Sequence, residues 1–176
     1  MNLIITILLI VSGIIALLLI IALFMRREHY VKREIIINAP RQKVFDYLKL
    51  LKNQDKFNKH AMADSDRKEE FKGTDGTVGY IYSWSGNKNA GVGEKEIISI
   101  VEGKRIETEI RFVKPMSAIA SIIMEMESLS DNQTKVSWSN TGTLKYPINI
   151  FVPTMEKSVA KDMDSSLSNL KNILEK

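Results

Sequence analysis

Residues 155–174 read MEKSVAKDMDSSLSNLKNIL, and their spacing decides the fold. Met155, Val159, Met163, Leu167, Leu170 and Leu174 recur every three or four residues, which puts one apolar stripe on a helix of about 3.6 residues per turn. Ser158, Lys161, Asp162, Ser165, Asn169 and Lys171 fill the other faces. A helix apolar along one stripe has to bury it against a second layer.

The stretch upstream supplies that layer. Ile106, Thr108, Ile110 and Phe112 alternate with Glu107, Glu109 and Arg111, the period of a half-buried strand. Ile122, Met124 and Met126 alternate with Ile123, Glu125 and Glu127, and Val136 and Trp138 share a face against Lys135, Ser137 and Ser139. Val92–Val101 reads as another strand, and so does Glu69–Lys72 before the turn Gly73-Thr74-Asp75-Gly76. Val78, Tyr80, Tyr82 and Trp84 alternate with Gly79, Ile81 and Ser83. Gly86–Gly91, Glu102–Lys104 and Asp131–Gln133 turn the chain between strands.

Nearer the N-terminus, Tyr30–Asn38 reads as a strand ending at Ala39-Pro40. Pro40 suits a helix start. Val44, Phe45, Leu48 and Leu51 then give a helix over Arg41–Leu51 one apolar face. A weaker helix is expected over Gln54–His60, and a loop over residues 62–66. The order is strand, two helices, about six antiparallel strands and a long helix. That is an α+β domain in which a curved antiparallel sheet wraps a long C-terminal helix, with an apolar cavity between them as the expected binding site.

Ahead of this body, Leu3–Met25 carries no charge and is interrupted only by Thr6, Ser12 and Gly13. At about 1.5 Å per residue it is long enough to cross a hydrocarbon core of about 30 Å. A cleaved signal peptide would show a basic n-region, a shorter apolar run and a small-residue cleavage site. None of these is present, so the run reads as a retained transmembrane anchor. Arg26, Arg27, Lys32 and Arg33 follow the span, and no Lys or Arg precedes it. By the positive-inside rule the body is expected in the cytoplasm, as the soluble part of a single-pass membrane protein. The expected units are 1–27, the anchor, and 28–176, one domain of about 150 residues.

All charged residues lie after the apolar run, from Arg26 onward, and together give the formal net charge of +4. A modest excess beside a bilayer fits attraction to anionic headgroups. No basic stripe interleaved with aromatics suggests nucleic acid. The absence of cysteine excludes disulfides, thiolate chemistry and Cys-based zinc sites. His29 and His60 lack metal-site spacing and read as surface residues, so neither metal nor cofactor is expected.

Several motifs, in this order, resemble one family. They are Asn38-Ala39-Pro40 with Val44-Phe45, Gly76-Thr77-Val78-Gly79 leading to Trp84, and the hairpin Gly86-Asn87-Lys88-Asn89-Ala90-Gly91-Val92-Gly93. Phe112 with Pro115, Thr134-Lys135-Val136-Ser137-Trp138, and Leu167-Ser168-Asn169-Leu170-Lys171 complete the set. The body resembles the SRPBCC superfamily of START-like and pollen-allergen-like helix-grip domains, within it the bacterial polyketide cyclase/dehydrase-like branch. The resemblance implies a helix-grip fold. It does not fix an activity, because that superfamily includes lipid carriers, receptors, cyclases and co-chaperone modules.

The glycine-rich hairpin is followed by a strand, EKEIISI, rather than a helix, so it reads as turn geometry and not a phosphate cradle. Glu107 and Glu109 oppose the apolar face of their strand and should meet water. Glu94 shares parity with Val92, Ile98 and Ile100, which makes it the acidic residue to test if that face lines the cavity. No Ser/His/Asp arrangement is present, and no catalytic residue is assigned. The expected cavity lining is Tyr80, Tyr82, Trp84, Glu94, Ile110 and Phe112 from the sheet, with Met124, Met126 and Trp138. Met155, Val159 and Met163 join it from the helix, and methionine packs adaptably around irregular ligands.

The function expected from these residues is non-catalytic binding of a hydrophobic small molecule or lipid beside the membrane. The alternatives are a cyclase- or dehydratase-type enzyme on a hydrophobic substrate, or a co-chaperone-like interaction module.

Overall fold

A computed structural model describes residues 2–62, 64, 66–87 and 90–176, the side chain of His60 excepted. The sequence reading of His60, and of the turn and loop positions Ala63, Ser65, Lys88 and Asn89, lies outside the described residues. The chain opens with helix α1 (Leu3–Phe24), then strand β1 (Glu28–Ile37) and helices α2 (Arg41–Lys49), α3 (Leu51–Gln54) and α4 (Lys59–Met62). Strands β2 (Lys68–Lys72), β3 (Ile81–Ser85), β4 (Val92–Val101), β5 (Arg105–Lys114), β6 (Ala118–Ser130) and β7 (Gln133–Thr143) follow. A 3-10 turn (Ile148–Phe151) leads into the long helix α5 (Val152–Leu174). The strands form one seven-stranded antiparallel sheet in the order β1-β7-β6-β5-β4-β3-β2. The α+β helix-grip architecture expected from the sequence is the one observed.

Register sorts the inward side chains into rows across the sheet. The row nearest α1 is Trp84, Gly93, Phe112 and Ala118. The next holds Tyr82, Lys95, Ile110, Ala120, Gly142 and His29. Further on, Ile106 pairs with Met124 and Met124 with Trp138, then Met126 pairs with Val136 and Val136 with Ile35. These far rows make the dry core with Val44, Phe45 and Leu48 of α2 and Leu167, Leu170 and Leu174 of α5. The apolar stripe of α5 therefore divides. Its C-terminal half packs in the core, and its N-terminal half lies against the rows nearest α1.

The helical region after β1 departs from the expected pattern. Leu50 is extended and ends α2. The backbone N–H groups of Leu51 and Lys52 donate to the Asp75 carboxylate at 2.8 and 3.2 Å, which supports the start of α3. The predicted helix over Gln54–His60 is instead the two short helices α3 and α4. Strand β3 begins at Ile81 rather than Val78, because Gly79 takes a positive φ of 83° and Tyr80 N–H donates back to the Thr77 carbonyl.

Helix α1 has 22 residues and a mean hydropathy of 3.3, long and apolar enough to cross a membrane. Ala22 is its buried residue. Asn149 in the 3-10 turn is fully buried and donates from Nδ2 to the carbonyls of Ala22 at 2.7 Å and Met25 at 3.0 Å. Arg26 pairs with Glu156 of α5, and the Leu144 N–H donates to the Arg27 carbonyl.

The two sheet edges differ. Along β1, side chains of α5 reach the free backbone: Glu156 accepts from Tyr30 N–H, and Lys171 donates to the Ile36 carbonyl. Along β2 every residue is exposed.

Candidate ligand cavity

A cavity of about 400 Å³ lies between the rows nearest α1 and the first half of α5. Its apolar wall includes Trp84, Ile110, Phe112 and Trp138 from the sheet and Met155, Val159 and Met163 from the helix. Tyr82 lines it as well. Trp84 and Phe112 meet edge to face, with ring centroids 6.1 Å apart, near the end that α1 joins. Phe112, Met116 and Ile119 line the cavity and are also exposed, so they form its rim.

Four of the residues expected to line the cavity lie elsewhere. Met124 and Met126 fall in the far rows and fill the core. Tyr80 packs with Leu51, Tyr82 and Ile97 in a second apolar cluster. Glu94 is on the outer face, where Arg111 holds it at 2.6 Å alongside Glu96 at 2.6 Å and Glu109 at 2.5 Å. The reason is a register shift in β4 between Ile97 and Ser99. Before the shift Gly93, Lys95 and Ile97 face inward; after it Ile100 does. A bulge reverses alternation, so Glu94 and Ile100 share parity in sequence but not a face.

That reversal brings in a residue the sequence reading passed over. Lys95 is 7% exposed, lines the cavity, and donates to Gln54 Oε1 at 2.8 Å. Burial pushes its ammonium down to about 8, against the pull of Asp55. Beside it, the Arg67 guanidinium holds Asp55 at 3.0 Å and Glu69 at 2.9 Å, and donates to the Tyr82 hydroxyl. Burial also raises the Asp55 carboxyl and pushes the Tyr80 phenol up to about 12.

His29, expected at the surface, is 8% exposed and lines the cavity. It occupies the first inward position of β1, opposite Gly142. A Cβ on Gly142 would come within 2.6 Å of the imidazole, so glycine makes the room. Nε2 lies 2.9 Å from Asn140 Oδ1, and Nδ1 is buried with no hydrogen-bond partner among the described residues. The alternation of His29 and Val31 with Tyr30 was the available signal. Among the described residues no three His, Cys, Asp or Glu side chains converge as a metal site. A wider groove of about 620 Å³ crosses the outer face, but charged side chains such as Lys32, Glu34, Glu127 and Lys135 wall it and pair with one another.

A curved sheet gripping a long helix around an apolar cavity defines a START-like helix-grip domain. Residues 28–175 match the family described as polyketide cyclase/dehydrase and lipid transport, and the chain belongs to that family. Truncated norcoclaurine synthase from Thalictrum flavum superimposes with a TM-score of 0.65 at 12% identity, covering 86% of this chain and 97% of that one. The Aha1 dimer from Colwellia psychrerythraea gives 0.58 at 17% identity, over 83% and 96%. A Chromobacterium violaceum protein gives 0.61 at 15% identity, over 84% and 98%. At these identities the likeness concerns the fold. No curated protein is similar enough in sequence to match.

Proposed function

We propose that this is a membrane-anchored helix-grip domain that binds a hydrophobic small molecule or lipid between sheet and α5 without transforming it. The observation that carries the reading is an apolar cavity whose rim, Phe112, Met116 and Ile119, lies at the end of the sheet that α1 joins. Burying apolar ligand surface contributes roughly 25 cal/mol per Å² before the costs of association. A cavity of this size thus needs no reactive group to be useful. The tether raises the local concentration of ligands that reside in the bilayer. The basic flank of Arg26 and Arg27 supports a cytoplasmic body.

The test uses the full-length protein in phosphatidylcholine nanodiscs. Both tryptophans line the cavity, so a brominated hydrophobic probe bound there quenches the intrinsic fluorescence. Val159→Trp should fill the cavity and abolish saturable quenching of the original pair while the protein stays folded. Native mass spectrometry should release a co-purified lipid or small molecule from the unmodified protein and not from this variant. Absence of bound molecule and of saturable quenching in the unmodified protein would overturn the proposal. Carbonate washing should leave the chain in the membrane fraction.

A further inference from the structure

We propose that the ligand is an amphipath with an anionic head, and that Lys95 receives that head while the tail lies along the apolar wall toward the rim. The inference rests on the binding reading above and names its ligand class. Lys95 reaches inward from β4 into a cavity whose apolar wall includes Trp138, Ile110, Met155 and Val159, with Asp55, Arg67 and His29 also on the lining. An ammonium has three donors, and the hydrogen bond to the neutral Gln54 carbonyl occupies one. Gln54 is oriented for this role, since its amide nitrogen donates to the Leu48 carbonyl.

The neighbouring charges do not complete Lys95. Asp55 is in contact with Arg67, as is Glu69, and Asp162 on the helix side is held by Lys59 at 2.6 Å. Among the described residues Lys95 has no ion-pair partner. A buried cation that no carboxylate contacts, with Asp55 acting on it only from a distance, is held at a cost that a hydrogen-bonded anion reduces. Asp55 opposes an incoming anion, but its carboxylate faces the guanidinium of Arg67. A neutral alcohol or ester head would accept a hydrogen bond yet leave the charge uncompensated.

The experiment compares brominated dodecanoate, dodecyl phosphate and dodecanol as quenchers of Trp84 and Trp138 in the full-length protein in nanodiscs. At least one anionic probe should half-quench at a concentration about tenfold below the alcohol, the scale of a charge-assisted hydrogen bond. The two anionic probes distinguish a carboxylate head from a phosphate head. Lys95→Met should remove the anion's advantage, weakening the anion by about tenfold and the alcohol by much less, and Lys95→Arg should keep the preference. Equal quenching by anion and alcohol in the unmodified protein would overturn the proposal. So would a parallel loss of both in a folded Lys95→Met protein. Quenching by no probe would instead overturn the binding reading, and this one with it.

Discussion

The buried amide of Asn149 joins the carbonyls of Ala22 and Met25, so the apolar helix ends on the turn that starts the gripped helix. With the Arg26–Glu156 ion pair and the Leu144–Arg27 backbone bond, these two hydrogen bonds tie the end of α1 to the start of α5. Asn149→Leu removes both donors and leaves two helix-end carbonyls without them. Each buried polar group left unpaired costs roughly 1–3 kcal/mol. The full-length protein should melt at a lower temperature while its retention in carbonate-washed membranes is unchanged.

Leu167 is 1% exposed and packs in the core with Leu170 and Val136. Leu167→Ala should cost about 2–5 kcal/mol, read from denaturant unfolding of the full chain. A loss below about 1 kcal/mol would mean that the helix presents a different face.

Gly93 faces the ring of Trp84. A Cβ there would come within 2.7 Å of that ring and 2.8 Å of the Arg111 carbonyl oxygen. Gly93→Ala should therefore shift Trp84 or open the β4–β5 pairing, at roughly 1–3 kcal/mol. Lower thermal stability together with altered tryptophan emission would register it.

Lys95 makes stability depend on pH in the alkaline direction. Its ammonium is pushed down from 10.5 to about 8. Between those values the unfolded chain holds a proton that the folded chain has released, so stability rises with pH across that window, by up to about 3 kcal/mol in full. Tyr80, raised from 10.0 to about 12, contributes the opposite slope above its ordinary value. Melting temperatures taken from about pH 7.5 to 9.5 should climb in the unmodified protein. The same series on Lys95→Met should lack that climb.

The stripe of α5 and the alternation of β5 were legible because each is set by a local period that burial enforces. Where the reading failed, a non-local contact decided. Asp75 lies more than twenty residues from the N–H groups it accepts at the start of α3, so nothing in residues 50–60 announces the break. The bulge after Ile97 inverted the faces of β4, which hid Lys95 between two glutamates and promoted Glu94 in its place. The cavity side chains from β5, β7 and α5 were found, because their elements keep an unbroken period. Met124 and Met126 have the right face but the wrong row, and row follows from cross-strand register, which residue type does not carry.

The unequal edges of the sheet matter for molecules confined to a plane. On the proposed anchoring, copies of the chain would diffuse laterally and meet in a restricted set of orientations, conditions that favour strand-to-strand association. The β1 edge has its backbone groups engaged by Glu156 and Lys171 of α5. The β2 edge is open, but it is five residues long and carries Lys68, Glu69, Glu70 and Lys72. Docking another strand there would strip water from four charges, a known deterrent to edge pairing. An anchored chain with such edges would resist strand-to-strand association at high surface density, which would leave each copy's opening free.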